Sequence, residues 1–290
     1  MRQSFREWLD LLGYSPLSAP YLADSLRNFL YYQEQQGKLA LVQLTASDAR
    51  NYIHWLQQQT GERTKRPFSN NHLNKQVQAL NLFSKYIRET GKNDTGFALQ
   101  RLEETKAKPD WLTKAEMQAL YEAIDNDVLG IRDRAMLAVY YGCGLRLNEG
   151  AHLELRDIDQ QRKVLHVRKG KHYKERLVPI AQKNGEELQL YINYARPQLL
   201  QEVRTDALFI GANQGKPMHK QSLYIRIKAL ARKARIKKKI GTHTLRHSIA
   251  THLLQSGMKL ERIQEFLGHS SLDSTQIYTH LINEHHDQTT

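Results

Sequence analysis

One cysteine, no long apolar run and too few acids set the first limits on this 290-residue chain. A single thiol, Cys143, excludes an intramolecular disulfide and suits a reducing compartment; as a small apolar group it is expected in a core. No stretch approaches the roughly 18 consecutive apolar residues of a membrane span. The opening MRQSFREWLDLLGYSP interleaves charges with apolar residues, unlike a secretory leader. The cytoplasm is the expected location, with no membrane partner. No cluster of spaced carboxylates suggests a two-metal nuclease. G-x-x-x-x-G-K-[ST] is absent, and GCGLRL is not G-x-G-x-x-G. His243 and His247 have the i, i+4 spacing of a helical zinc pair, but they lack the H-E-x-x-H glutamate and an obvious third ligand. Neither a metal nor a cofactor is expected.

What is present is positive charge. Forty-three Lys+Arg against 30 Asp+Glu leave a formal charge of +13, spread over both halves of the chain. Such a surface generates a long-range field whose commonest partner is nucleic acid. Forty per cent hydrophobic residues suffice for one large core or two ordinary ones.

The first ninety residues read as amphipathic helices. Leu22, Leu26, Phe29 and Leu30 form an i, i+4, i+7, i+8 stripe. TASDARNYIHWLQQQTG offers Thr45 or Ser47 as an N-cap and Gly61 as a stop. SNNHLNKQVQALNLFSKYIRETG repeats the plan from Ser69–Asn71 to Gly91. A four-helix unit over 1–91 is expected, then a polar linker over 92–110 with the boundary near 108. A second unit over 111–290 opens with a Thr113–Glu116 capping box and a helix near 131–141 that stops at GCG. KVLHVRKGKHYKERLVPI alternates and then turns, which predicts two antiparallel strands. Helices resume in QSLYIRIKALARKARIKKK, HTLRHSIATHLLQSG, LERIQEFLG and SLDSTQIYTHL. The fold class is therefore mainly α with a small antiparallel β-sheet: an all-α N-terminal domain and a mixed α/β second domain.

Within that second unit, cations accumulate around one phenol. Arg146 follows a glycine turn. Lys169, Lys171 and Lys174 share the sheet turn, and nothing in their spacing chooses among them. His243 and Arg246 are three apart on one helix and share a face. His269 follows Gly268, a helix stop. Tyr278 lies nine positions after His269 and is the only tyrosine beyond Tyr224. Each is an ordinary residue alone. Together they suit attack on a phosphodiester. Arginines can neutralise the non-bridging oxygens by bidentate contacts, a lysine can protonate a departing oxygen, and a cationic pocket favours the phenolate of tyrosine.

These segments resemble the tyrosine recombinases of the integrase family, of the Xer type. GLRLNEGAHLELRDID resembles the first arginine box and implies a catalytic Arg146 with supporting Glu149. GKHYKERLVPI resembles the hairpin box, which selects Lys171. HTLRHSIATHLLQSG is similar to the H-x-x-R box, with His243 and Arg246. LGHSSLDSTQIYTHL resembles the last box, with His269 and the nucleophile Tyr278. The resemblance implies a core-binding, SAM-like helical domain and a catalytic domain that clamp double-stranded DNA. It implies a covalent 3′-phosphotyrosine intermediate, four protomers on two synapsed sites, and a monomer in free solution. It also implies a simple core site, since the chain opens directly on the helical domain. A type IB topoisomerase-like relaxing enzyme and a catalytically silent DNA-binding relative are the alternatives. Basic residues expected to face DNA are Arg63, Lys65, Arg66 and Lys75 in the loop and helix after Gly61, and Arg232 and Lys233 in KALARKARIKKK.

Overall fold

Side chains cap several helix starts, Thr45 and Ser69 in the first part of the chain and Thr113 and Asp127 in the second, and these helices serve two separate cores. The computed structural model describes residues 1–62, 64–92, 96–104, 110–168, 175–213 and 215–268. It splits into two compact units, Met1–Ala107 and Lys108–Thr290.

The first unit holds α1 (Arg2–Leu11), α2 (Ser18–Gln35), α3 (Ala46–Gln58) and α4 (Asn70–Glu89). Thr45 caps α3 reciprocally: its Oγ1 accepts from Asp48 N, and Asp48 Oδ2 accepts from Thr45 N at 2.9 Å. Ser69 Oγ accepts from His72 N to start α4. The α2 stripe buries Leu22, Leu26 and Phe29 against Phe5, Tyr52, Leu80 and Phe83. Among the described residues this unit contains no β-strand, as the helical pattern requires.

The stretch 92–110, expected as a linker, is corrected over its described residues 96–104, which form part of the first unit. Phe97 and Leu99 are buried in its core. The polar face of α4 carries the segment. Asn81 Oδ1 accepts from Leu99 N at 2.7 Å while its Nδ2 donates to Leu99 O at 2.9 Å. Asn74 does the same for Leu102, and Ser84 Oγ accepts from Phe97 N. An asparagine amide offers both a donor and an acceptor, so it satisfies an extended backbone as a neighbouring strand would.

The second unit begins with α5 (Lys114–Glu122), capped by the Thr113–Glu116 box. The next helix, α6 (Val128–Leu137), starts earlier than its periodicity suggests because Asp127 Oδ1 caps Gly130 N at 2.7 Å; it continues as a π-turn over Ala138–Gly142. Short α7 (Leu147–Ala151) follows. Then come β1 (Ile158–Asp159), β2 (Val164–Val167) and β3 (Arg176–Pro179), antiparallel in the order β1-β2-β3. Leu165 pairs with Val178 and Val167 with Arg176. The buried residues Leu165, Val167 and Val178 face the helices, as the alternation of this segment predicts. A helical run absent from the sequence expectations comprises α8 (Gln182–Leu190), a π-turn (Tyr191–Ala195) and α9 (Arg196–Leu200). Its buried apolar side is thin, Leu188, Tyr191, Ala195 and Leu199, and Arg196 is buried beside them. The unit ends, among the described residues, with α10 (Lys220–Lys233), α11 (Thr242–Gln255) and α12 (Leu260–Leu267). The expected last helix, SLDSTQIYTHL, and the turn with Lys169, Lys171 and Lys174 lie outside the described residues.

Buried Cys143 joins Tyr140, Leu145 and Leu245 in the second core, where burial pushes its thiol up to about 12. No described helix is long and apolar enough to cross a membrane.

Candidate active site

Three parts of the second unit converge: the start of α7, the first turn of α11 and the end of α12. Gly144 permits the convergence. It has φ +61°, and a Cβ there would stand 2.8 Å from Leu267 Cδ2. The chain therefore turns sharply out of the π-turn while touching α12, and places Arg146 at the N-cap of α7.

Glu149 then fixes Arg146. Its Oε2 accepts from Arg146 N and its Oε1 from Arg146 Nη1, both at 2.8 Å. The same carboxylate accepts a second fork from Arg176 of β3, with Nη1 to Oε1 at 3.1 Å and Nη2 to Oε2 at 2.9 Å. Glu149 is buried, which alone would raise its pKa. The donors from Arg176 and then Arg146 outweigh that and bring it down to about 2.

On α11, Arg246 is 4% exposed, so a full charge is held inside the domain. Its Nη1 donates to Gly144 O and its Nη2 to Leu267 O, each at 2.6 Å. Arg146 Nη2 donates to the next carbonyl, Gly268 O, at 3.1 Å. Two arginines thus hold adjacent peptide groups at the end of α12. His243, one turn before Arg246, is exposed. Its pKa is held below the usual histidine value, first by desolvation and then by the charges of Arg246 and Arg146. His247, partly buried behind it, is pushed down to about 4 by desolvation, His243 and Arg246. Both imidazoles are neutral near pH 7. Two guanidiniums, Arg146 and Arg176, share the Glu149 carboxylate, and Arg246 is held by backbone carbonyls, so the three cations outnumber the one acid and leave a local positive excess suited to an anionic ligand.

The structure brings together Arg146, Glu149, His243 and Arg246. Lys171, His269 and Tyr278 lie outside the described residues, as does Arg63. Arg176 is the member that the sequence reading passes over; its signal is a charged residue opening a strand whose next inward position is apolar. Among the described residues, no group of three or more His, Cys, Asp or Glu is placed to hold a metal ion.

Beside His243 runs an open groove of about 510 Å³, lined by Tyr224, Lys228, Arg232, Lys237 and Lys239 among others. Lys228 lies 5.4 Å over the Tyr224 ring. Lys238 is drawn to Glu116 Oε2 at 2.6 Å and Trp111 O at 2.9 Å. Of the two α10 candidates, Arg232 lines the groove, whereas Lys233 pairs with Asp125 at 2.5 Å. In the first unit, Lys65 and Arg66 sit exposed in a loop closed by a Thr60–Pro67 bridge. Lys75 places its ammonium 5.8 Å from the Tyr21 ring.

Residues 110–285 match the sequence profile of the phage integrase family. The chain is similar to the tyrosine recombinase XerD of Staphylococcus aureus (strain Mu50 / ATCC 700699), 45% identical over 177 residues, which are 61% of this chain and 59% of that one. XerD of Staphylococcus saprophyticus is 43% identical over 174 residues, 60% of this chain and 58% of the relative. The match thus spans about three fifths of the length of these curated relatives. The fold is similar to the crystal structure of XerA recombinase, with a TM-score of 0.56 and 26% identity over 100% of this chain and 98% of that one. It is also similar to XerH site-specific recombinase bound to difH substrate in a pre-cleavage complex, with a TM-score of 0.69 and 22% identity over 92% and 77%.

Proposed function

Because the chain belongs to the phage integrase family, we propose that it is a site-specific DNA recombinase that cuts and rejoins duplex DNA through a covalent phosphotyrosine. The observation that carries this reading is the attachment of Arg146 and Arg246 to the adjacent carbonyls of Gly268 and Leu267. The chain leaves those carbonyls directly into His269 and, nine residues on, Tyr278.

In this mechanism the Tyr278 oxygen attacks the scissile phosphorus. Its proton passes to a neutral base, the role we assign to His243. Arg146 and Arg246 offset the charge that builds on the non-bridging oxygens, with His269 as a further donor. The P–O5′ bond breaks and Lys171 protonates the leaving oxygen. The ester retains the bond energy, so a 5′ hydroxyl from another strand can reverse the step and expel the tyrosine. Four protomers on two DNA sites would exchange one strand pair at a time, assembled from monomers on the DNA. The groove beside His243 supplies cations for the backbone, and Lys65, Arg66 and Lys75 supply them from the first unit. A reducing cytoplasm suits the buried thiol.

The test is a nicked suicide duplex drawn from a randomised pool, scored for covalent adducts on a denaturing gel. The native protein should form an adduct, and Tyr278→Phe should bind equally without forming one. An adduct that survives in the Phe variant moves the nucleophile elsewhere. Binding with no adduct on any duplex indicates a silent DNA-binding relative, and relaxation of supercoils without strand exchange indicates a topoisomerase-like enzyme.

A further inference from the structure

Building on the recombinase reading, we propose that Arg176 is a positioning residue: it holds the Glu149 carboxylate, and through it Arg146, in the orientation that neutralises the scissile phosphate. Arg176 forms the last described pair of the β2–β3 ladder, opposite Val167, at the edge of the hairpin turn. Its side chain is 10% exposed. Three of its N–H groups are spent on protein: Nη1 and Nη2 on Glu149, and Nε on Phe266 O at 3.3 Å.

The geometry separates its role from that of Arg146. Each Glu149 oxygen accepts one bond from Arg146 and one from Arg176. A carboxylate held from one side alone can rotate about its terminal torsion and carry the Arg146 guanidinium with it. Held from both sides, it cannot. Arg176 also braces the far end of the site. Gly268 has φ +65°, and a Cβ there would stand 2.8 Å from Arg176 Cδ and 2.9 Å from its Nη1. The peptide whose carbonyl receives Arg146 therefore rests on the Arg176 side chain. One guanidinium ties the hairpin strand, the first arginine box and the end of α12 into a single unit. Its fork is what a lysine could not reproduce.

The experiment compares native protein, Arg176→Met and Arg176→Lys on suicide duplexes selected as above, with either a normal phosphodiester or a neutral methylphosphonate at the scissile position. Arg176→Met should bind within about threefold of native and form adduct about a hundredfold more slowly on the phosphodiester. On the methylphosphonate, which carries no charge to neutralise, its deficit should shrink to about tenfold or less. Arg176→Lys keeps a cation beside Glu149 and should show the same substrate dependence; it carries the test if circular dichroism shows that the Met variant is unfolded. Equal deficits on both substrates, or native rates, from variants of an active protein overturn the role of Arg176 and leave the recombinase reading intact. Failure of the native protein to form adduct on any duplex overturns the recombinase reading itself, and this role with it.

Discussion

Arg246 and Arg146 donate to consecutive carbonyls, Arg246 Nη2 to Leu267 O at 2.6 Å and Arg146 Nη2 to Gly268 O at 3.1 Å. The end of α12 is therefore a shared anchor of the two arginines, beside Glu149 for Arg146 and Gly144 O for Arg246, and displacing it removes one bond from each.

Gly268→Ala should be damaging for that reason. An L-residue in the left-handed region costs about 1–2 kcal/mol, and the new Cβ would strike Arg176 at 2.8 Å. We expect a lower melting temperature and loss of adduct formation, with DNA binding retained. A variant that melts and cleaves like the native protein would show that the carbonyl pair does not need this geometry.

Glu149→Gln should remove a charge to which both Arg146 and Arg176 bond. Its folded pKa of about 2 lies below the ordinary 4.5. Its contribution is therefore fully present above pH 4.5 and is lost as pH falls through 4.5 toward 2. The shift corresponds to about 3 kcal/mol. Urea unfolding should find the native protein losing stability over that window and the Gln variant destabilised at pH 7, with a flatter acid limb.

His247 titrates in the same sense but higher. It is neutral when folded, with a pKa near 4 against 6.5 for the free group. It therefore costs the fold nothing above pH 6.5, and a penalty grows as pH falls from 6.5 toward 4, because the unfolded chain takes up the proton that the folded one resists. Between pH 7.5 and pH 5 this amounts to about 2 kcal/mol. Urea midpoints for native protein and His247→Gln at the two pH values should diverge accordingly; parallel curves would count against a buried neutral imidazole.

The basic groove makes a prediction about salt. Replacing Arg232, Lys237 or Lys239 by Gln should weaken DNA binding and reduce the slope of log K against log salt by about 0.9 for each phosphate contact removed. Lys233→Gln should change the slope little, because that ammonium faces Asp125. Fluorescence anisotropy across a salt series measures both, and equal effects from Lys233 and Arg232 would contradict the assignment.

Cleavage should tolerate EDTA. Arg146, Arg246 and the other cations of the site carry the charge compensation that a bound metal would otherwise supply. Adduct yields with and without chelator should agree, and strict dependence on magnesium would remove the proposed mechanism.

Local chemistry made much of this protein legible in its sequence. Thr45, Ser69 and Thr113 announce their helices because a hydroxyl beside free N–H groups acts within one turn. Alternation at Val164–Val167 announces a strand for an equally local reason. The residues of the arginine and histidine boxes are ordinary by type and spacing alone, and only the resemblance of those short segments to the integrase family singled them out. Three things required the tertiary structure. Asn74 and Asn81 turn a polar stretch into part of a domain, and only the fold says which backbone an amide meets. Lys233 and Arg232 are neighbours with the same charge, yet one meets Asp125 and the other lines a groove. Arg176 gains its place from Glu149 and Phe266, residues distant in the chain. Capping and periodicity are short-range and so are written in the order of residues, whereas the partner of a buried charge is decided by packing between segments that no local pattern connects.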